Sequence, residues 1–417
     1  MKNIVVLDTG KEWGGGINSL LEYLKRSDRL TYSFTVLLYR DLPKGTASSL
    51  IAELASLGIK TIVLQQERFS LGIRLLKVVA KAVSFWDREL RSRLLFRLEL
   101  RFRIQRNATR ISQVLQQLGA DLLYTNNQPS SNLEGYLAAR NAGVPVVQHC
   151  RKVTRLNMDE IAATNTILSR MICVSAGLRD DYVQQGITAE KCRVVANGID
   201  LSAAPEEASA AVRARFGISP DTVLLGFVGS FLPVKRLSDL LEALAILGTE
   251  TDGSFKCLLV GDGPQRELLQ RRSEALGLRD RVVFAGFQAD PLCFINAMDI
   301  FLLTSEREGM PRVILEAMLL GKPVVASEVT GSAELVLDGV TGKLFPMGKP
   351  DQCAEALSSL IADSELRRRM GEAGSERVRQ HYSIGSYVSG VEQVFAEVLV
   401  SAGGAAVPEI RDNSCGF

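Results

Sequence analysis

The 417-residue sequence predicts an α/β protein of two domains, each a parallel sheet with helices on both faces. Three observations carry this expectation. Strand-like and helix-like segments alternate along the chain. The length suffices for two domains of ordinary size. The apolar run 223–229, Val-Leu-Leu-Gly-Phe-Val-Gly, reads as a continuous buried strand and opens a second series.

The first series places strands at 3–8, 34–39, 61–64, 121–125, 144–148, 171–175 and 193–195, with a helix at 17–25. Gly14, Gly15 and Gly16 lie between the first strand and that helix. Glycine there lets backbone N–H groups approach a phosphate or sugar closely, and an ordinary tight turn is the competing reading. The run is not Gly-x-Gly-x-x-Gly. The second strand ends Tyr39-Arg40, without the acid that would hold a dinucleotide ribose. No Gly-x4-Gly-Lys-Ser/Thr occurs. Dehydrogenases and P-loop nucleotide hydrolases are therefore disfavoured.

Composition narrows the class further. Apolar residues are 46% and charged residues 23%, as in a globular protein. No apolar run approaches the ~20 residues that span a bilayer. The apolar core at 3–7 is too short for a secretory signal. Seven scattered cysteines without Cys-x-x-Cys point to reduced thiols in a cytosolic setting and away from a zinc site, and two histidines exclude a His-rich metal centre. Net charge is +2, but residues 68–110 hold twelve Lys/Arg against three acids, +9 locally, which leaves −7 elsewhere. Such asymmetry suits an anionic partner surface. In the insert at about 68–118, Leu75, Val78, Val79, Ala82, Val83, Phe85, Trp86, Leu90, Leu94, Leu95 and Leu98 recur at helical spacing among the basic residues. One or two amphipathic helices are expected, lying in a membrane interface or presenting a solvated face. No nucleic-acid-binding motif accompanies them.

The second series is organised around residues 305–318, Ser-Glu-Arg-Glu-Gly-Met-Pro-Arg-Val-Ile-Leu-Glu-Ala-Met. It follows the apolar run 299–304, a buried strand. Pro311 suits the first position of a helix. Glu308 then sits in a loop at the carboxyl end of a strand, beside a helix N-terminus. Ligands bind at that edge of open sheets, and helix N-termini favour phosphates. Glu316 stands among Val313, Ile314, Leu315, Ala317, Met318, Leu319 and Leu320, so it is expected to be buried. A buried carboxylate needs partners, and a ligand diol supplies two hydroxyl donors. The competing reading is an i,i+4 pair with Arg312, in the less favourable order.

Glu308 and Glu316 form a Glu-x7-Glu pair within Glu-Gly-Met-Pro, Leu-Glu-Ala-Met and Gly-Lys-Pro-Val-Val-Ala-Ser. This closely resembles the signature of the retaining glycosyltransferases grouped as family 4, whose GT-B fold is two Rossmann-like parallel-sheet domains facing a central cleft. The match is densest from 197 to 382. The resemblance implies an acceptor-binding domain at 1–200, a nucleotide-sugar-binding domain at 201–383 and a crossover helix at 384–400 that returns to the first domain. Residues 401–417 are rich in Gly, Ala and Pro and are expected to be disordered.

By position, Glu308 would hold hydroxyls of the transferred sugar and Glu316 the nucleotide ribose. Lys235 matches the lysine that neutralises the donor diphosphate. Gly15 and Gly16 match the glycine loop that faces the cleft, and Gly309, Met310 and Pro311 match the helix start that meets the leaving group. Gly261 and Gly263 give close backbone approach, Phe287 ends the strand whose following loop meets the base, and His149 takes the place of a histidine near the transferred sugar. One departure stands out. The family reads Gly-Arg-Leu-x-x-x-Lys-Gly, but here Gly229 is followed by Ser230, and Arg236 replaces the last glycine. One of two expected cations is missing, so weaker donor binding is expected, and the sequence leaves open whether Arg236 substitutes.

The resemblance also implies docking on the inner leaflet of the cytoplasmic membrane through the basic insert, with Arg88, Arg91 and Arg93 toward anionic lipid. Arg151 and Lys152 would meet an acidic acceptor or face solvent. No cofactor is expected, and no Asp-x-Asp is present to hold a metal. A sugar-nucleotide epimerase, a non-catalytic scaffold of the same fold and a two-lobed sugar-binding protein are the competing functions.

Overall fold

The computed structural model describes residues 1–10, 13–44, 48–66, 71–250 and 255–404. Its first sheet contains β1 (Lys2–Asp8) and β2 (Tyr32–Leu38). A short antiparallel ribbon, β3 (Pro43–Lys44) and β4 (Ser48–Ser49), follows outside the sheet. The sheet continues with β5 (Lys60–Val63), β6 (Leu122–Asn127), β7 (Val146–Cys150), β8 (Arg170–Cys173) and β9 (Cys192–Val194). The second sheet holds β10 (Val223–Val228), β11 (Phe255–Val260), β12 (Val282–Gly286), β13 (Ile300–Leu303), β14 (Val324–Ser327) and β15 (Gly342–Phe345). All pairs within the two sheets are parallel.

The spatial orders are β5-β2-β1-β6-β7-β8-β9 and β12-β11-β10-β13-β14-β15. Both are Rossmann-like. In each, strand order reverses beside the first strand, between β1 and β6 and between β10 and β13. Crossover helices leave in opposite directions there and open a crevice at the carboxyl ends of the strands.

Strand alternation divides the interior. In β1, Val5 and Leu7 join a cluster that runs through both lobes, while Ile4 and Val6 join a second one on the opposite face. Both faces are covered, so the strand is a continuous apolar run. The second cluster is closed by the helix Ile384–Gly404, which contributes Tyr387, Val388, Val391, Val394, Phe395 and Val398. Phe395 packs edge-on against Tyr124 at 5.1 Å and Tyr23 at 6.0 Å. Just before this helix, Ser383 pairs with Ile199 in a parallel bridge, so the chain returns to the first lobe at the point where it left.

Several local expectations shift. Pro311 caps the helix Arg312–Leu319 from outside rather than occupying its first turn, with ψ at 113°. The basic insert forms helices Leu71–Val83 and Arg88–Glu99, then a π-helical turn Leu100–Ile104 leading into Gln105–Gln117. The last buries Asn107, Ala108, Ile111, Ser112 and Leu115. Leu75, Leu76, Val78, Val79 and Val83 of the first helix are exposed. The start of the insert at 68–70 and residues 405–417 of the expected tail lie outside the described residues.

Candidate functional site

At the second switch point, β10 is followed by Gly229 and by Ser230, which is exposed in the loop. Phe231 is fully buried and pins this loop to its neighbour: its N–H donates to the Asp262 carbonyl at 2.8 Å, and its carbonyl accepts from Gln265 N–H at 3.2 Å. Gly261 must be glycine, because its φ is +137° and a Cβ would lie 1.9 Å from the Gly229 carbonyl oxygen. A Cβ on Gly263 would press on the Phe231 backbone at 2.8 Å. Phe287, just past β12, is 50% exposed at the same edge.

The turn Pro233–Lys235 aims Lys235 at the loop after β13. Its Nζ lies 2.6 Å from Glu308 Oε1, and Ser305 Oγ donates to the same oxygen at 2.6 Å. Thr304 Oγ donates to the Lys235 carbonyl at 2.9 Å and Glu306 N–H to the Val234 carbonyl at 2.8 Å, which laces the two loops together. Ser327 Oγ supports Ser305 from β14 at 2.6 Å. The two residues that the sequence assigns to diphosphate and sugar are thus in direct contact. Arg236 has a left-handed backbone, φ +49° and ψ +39°, where glycine is the usual occupant. Its guanidinium pairs with Asp239 at 2.6 Å, so its charge is already matched along the helix.

Glu316 combines the two readings that the sequence left open. Its side chain is 18% exposed and lies 3.8 Å from Arg312, whose Nη1 donates to the Gly198 carbonyl at 3.2 Å. Burial pushes the Glu316 carboxyl above the usual carboxylate range, against the pull of Arg312.

The first switch point carries a buried polar cluster. Asp8 accepts from Gly10 N–H at 2.7 Å, Asn126 Nδ2 at 2.7 Å and Asn127 Nδ2 at 3.1 Å. Gly14 caps the helix Gly15–Arg26 without a side-chain bond, and Gly16 packs on the Arg151 side chain. Trp13 Nε1 donates to Asn18 Oδ1 at 2.8 Å beside the glycines. Arg151, expected at an acidic acceptor or in solvent, and His149, expected near the transferred sugar, are both enclosed. Arg151 turns inward: its guanidinium donates to Asn126 Oδ1 (2.9 Å), Asn197 Oδ1 (3.0 Å) and Tyr387 Oη (2.9 Å). His149 is fully buried on the strand face it shares with Val147, with Nδ1 hydrogen-bonded to Tyr124 Oη at 2.6 Å and rings of Tyr124 and Tyr387 about it. Burial and the nearby Arg151 charge hold its pKa well below the ordinary imidazole value. Lys152 is exposed. Arg91 lies on the helix Arg88–Glu99, far along the chain from this cluster, and the side chains of Arg88 and Arg93 are outside the described residues.

The lobes meet tightly at Gly309, where a Cβ would lie 2.1 Å from the Arg151 carbonyl oxygen. Asn197 Nδ2 donates to the Met310 carbonyl at 3.0 Å, joining Arg151 to the Glu308 loop. Sequence reading missed the seam formed by Asp8, Asn126, Tyr124 and Tyr387. Its signal was weak: polar residues in or beside apolar segments, with Asp8 and Tyr387 bonded to partners more than a hundred positions away.

Two Rossmann-like lobes whose switch points face each other define a GT-B protein. Residues 209–377 match the family model described as glycosyl transferases group 1, and residues 46–203 match glycosyltransferase family 4. The chain is 28% identical over 305 residues to the N-acetyl-alpha-D-glucosaminyl L-malate synthase of Bacillus anthracis, covering 70% of this chain and 78% of that enzyme. It is 34% identical over 171 residues to the lipopolysaccharide core biosynthesis glycosyltransferase LpsE of Rhizobium meliloti, spanning 41% of this chain and about half (49%) of that one. The structure of HepE from Anabaena in complex with UDP-glucose superposes with a TM-score of 0.75 at 24% identity, over 95% of this chain and 100% of that one. The chain belongs to the family 4 glycosyltransferases of the GT-B fold.

Proposed function

We propose that this enzyme moves a sugar from a nucleoside-diphosphate donor to a glycan or lipid-linked acceptor, with retention at the anomeric carbon and without a metal ion, in the synthesis of cell-envelope polysaccharide, lipopolysaccharide or glycolipid. The observation that carries this reading is the contact between Lys235 and Glu308 at 2.6 Å, set over the glycine-lined loops at the carboxyl ends of β10 and β11. The crystal forms of HepE that contain UDP and UDP-glucose support a nucleotide-sugar donor, and LpsE supports a polysaccharide-type acceptor.

In this reading Lys235 meets the diphosphate as it gains charge, together with the backbone N–H of Ser230 and those at the start of the helix Arg312–Leu319, while the Gly229 N–H is held by the Val260 carbonyl at 3.0 Å. These groups are fixed before reaction, so stabilising the leaving group costs little reorganisation. Glu308 holds sugar hydroxyls and Glu316 the ribose. The sugar–phosphate bond breaks, the acceptor oxygen bonds to the same face of the sugar, and the acceptor proton passes to the departing diphosphate. His149, fully buried and hydrogen-bonded to Tyr124, takes a supporting place behind the cleft wall rather than at the sugar.

Thermal shift with UDP, GDP, ADP and CMP tests the reading, since a ligand at 100 times its Kd adds about 2.7 kcal/mol. One nucleotide should raise Tm, and Glu316→Ala should abolish the rise. No rise with any of them favours the scaffold reading, for which exposed Ser230 and the paired Arg236 speak. Excess EDTA should leave transfer unchanged, and loss of activity refutes metal independence.

The anionic inner leaflet is the proposed docking surface. Helix Leu71–Val83 and the turn after it expose an apolar face with Phe85 at 71% and Trp86 at 68%, interleaved with exposed Arg74 and Lys81. No helix among the described residues is long and apolar enough to cross a membrane. Sedimentation with anionic liposomes should weaken with salt and with charge reversal at Arg88, Arg91 and Arg93. Absence of binding at low salt refutes this part.

A further inference from the structure

Helix N-termini leave backbone N–H groups in need of acceptors. At the start of the nine-residue helix Ala176–Gln184 in the first lobe, Ser175 Oγ accepts from Leu178 N–H at 3.2 Å. The two preceding donors turn to a carboxylate of the other lobe. Ala176 N–H donates to Glu334 Oε2 at 3.0 Å and Gly177 N–H to Glu334 Oε1 at 2.6 Å. A negative group at this end of a helix also gains from the helix dipole.

Glu334 belongs to the short helix Thr330–Leu335 that follows β14. The opposite end of that helix touches the candidate site. Gly331 N–H donates to the Glu308 carbonyl at 3.2 Å, and a Cβ on Gly331 would lie 2.5 Å from the Gly309 carbonyl oxygen. The helix is braced from behind by Arg377, which donates to the carbonyls of Glu334 at 2.9 Å and Leu335 at 3.1 Å. Gly177 is fitted to the contact, since a Cβ there would stand 2.3 Å from Thr330 Cγ2.

We propose that Glu334 is a positioning residue: its carboxylate clasps the second lobe to the first and, through Gly331, fixes the Glu308 loop at the height the closed cleft requires. It needs no contact with substrate. Closure excludes water and completes a two-lobed site, so a carboxylate that sets the closed geometry acts on turnover more than on nucleotide affinity. The clasp is a statement about lobe geometry; its kinetic consequence rests on the sugar-transfer reading.

The experiment compares the full chain with Glu334→Ala, Glu334→Gln, Gly177→Ala and Gly177→Ala/Thr330→Ala. Small-angle scattering reads lobe closure, calorimetry reads UDP affinity, and initial rates are taken with the sugar nucleotide that the nucleotide screen selects. The compact wild type should scatter with a radius of gyration of about 22 Å. Glu334→Ala should enlarge it, change the Kd for UDP by less than about threefold, and lower kcat at least tenfold (about 1.4 kcal/mol). Glu334→Gln keeps one acceptor oxygen and should fall between. Gly177→Ala should open the lobes as a wedge, and Thr330→Ala should restore them by removing the methyl it strikes. The glycine and threonine variants decide the matter if Glu334→Ala does not fold. Unchanged scattering in both Glu334→Ala and Gly177→Ala overturns the clasp. Equal losses of UDP affinity and kcat overturn the positioning role. Failure of the wild type to bind UDP or any other nucleotide counts against the donor reading alone, because scattering still decides the clasp.

Discussion

Glu308→Gln separates the electrostatic role of Lys235 from the sugar-holding role of Glu308. In the free protein Lys235 Nζ and Glu308 Oε1 are 2.6 Å apart, with side chains only 21% and 13% exposed. Charge centres ~4 Å apart at an effective dielectric of about 20 attract by roughly 4 kcal/mol, much of it offset by desolvation. An arriving diphosphate must share Lys235 with this carboxylate and tolerate its negative charge. The amide keeps the shape and the Ser305 hydrogen bond while removing the charge. UDP should therefore bind the variant more tightly, by about 1.4 kcal/mol or tenfold. Sugar transfer should fall about a hundredfold, the scale for losing one preorganised contact to the transition state. Without nucleotide the variant should melt lower, because Lys235 is left in a largely buried place without its carboxylate. Calorimetric titration with UDP, initial rates of sugar transfer and Tm without nucleotide check the three in turn. Weaker UDP binding by Glu308→Gln than by wild type would refute the assignment of Lys235 to the diphosphate.

Three further outcomes are expected. Gly261→Ala forces a methyl to within 1.9 Å of the Gly229 carbonyl oxygen, so urea unfolding should show a loss of about 3 kcal/mol and calorimetry a loss of nucleotide binding. At Arg236, φ +49° disfavours side chains: Arg236→Val should cost about 2 kcal/mol and Arg236→Gly under about 1 kcal/mol, read by the same method. His149 has a folded-state pKa below its unfolded value of about 6.5, so the unfolded chain binds the proton first and stability falls as pH drops below about 6.5. His149→Gln should remove up to about 1.4 kcal/mol per pH unit of that slope between pH 6.5 and 5, measured as the difference from wild type in urea unfolding, and equal slopes would refute it.

Much of the fold is legible because short continuous apolar runs bounded by turn residues announce buried parallel strands. β1, β10 and β13 follow from their residues alone, and so does the loop position of Glu308. The chain also shows why other parts are not. A lone histidine at a strand end is more often structural, and His149 reads as a site residue only through the family resemblance; its face of β7 is decided by the helix Ile384–Gly404, more than two hundred residues later. Arg151 looks like a surface cation beside Lys152. Only the convergence of Asn126, Asn197 and Tyr387 turns it inward. Helix Leu71–Val83 has the spacing of a core helix and exposes most of that face instead.

Resemblance to family 4 marked Lys235, Glu308 and Glu316 as the charged members of one edge, and the sequence by itself determined the two parallel sheets and the loops that end their first strands. Those features depend on local alternation, glycine conformational freedom and helix starts, which act over a few residues. The tertiary structure alone decided that Lys235 and Glu308 share a hydrogen bond, that Arg236 is matched by Asp239, that His149 and Arg151 are enclosed, and that Glu334 reaches the other lobe. Each of these joins a side chain to a partner whose distance is set by packing, so burial and the need of every enclosed charge and N–H group for a partner fix what spacing along the chain does not.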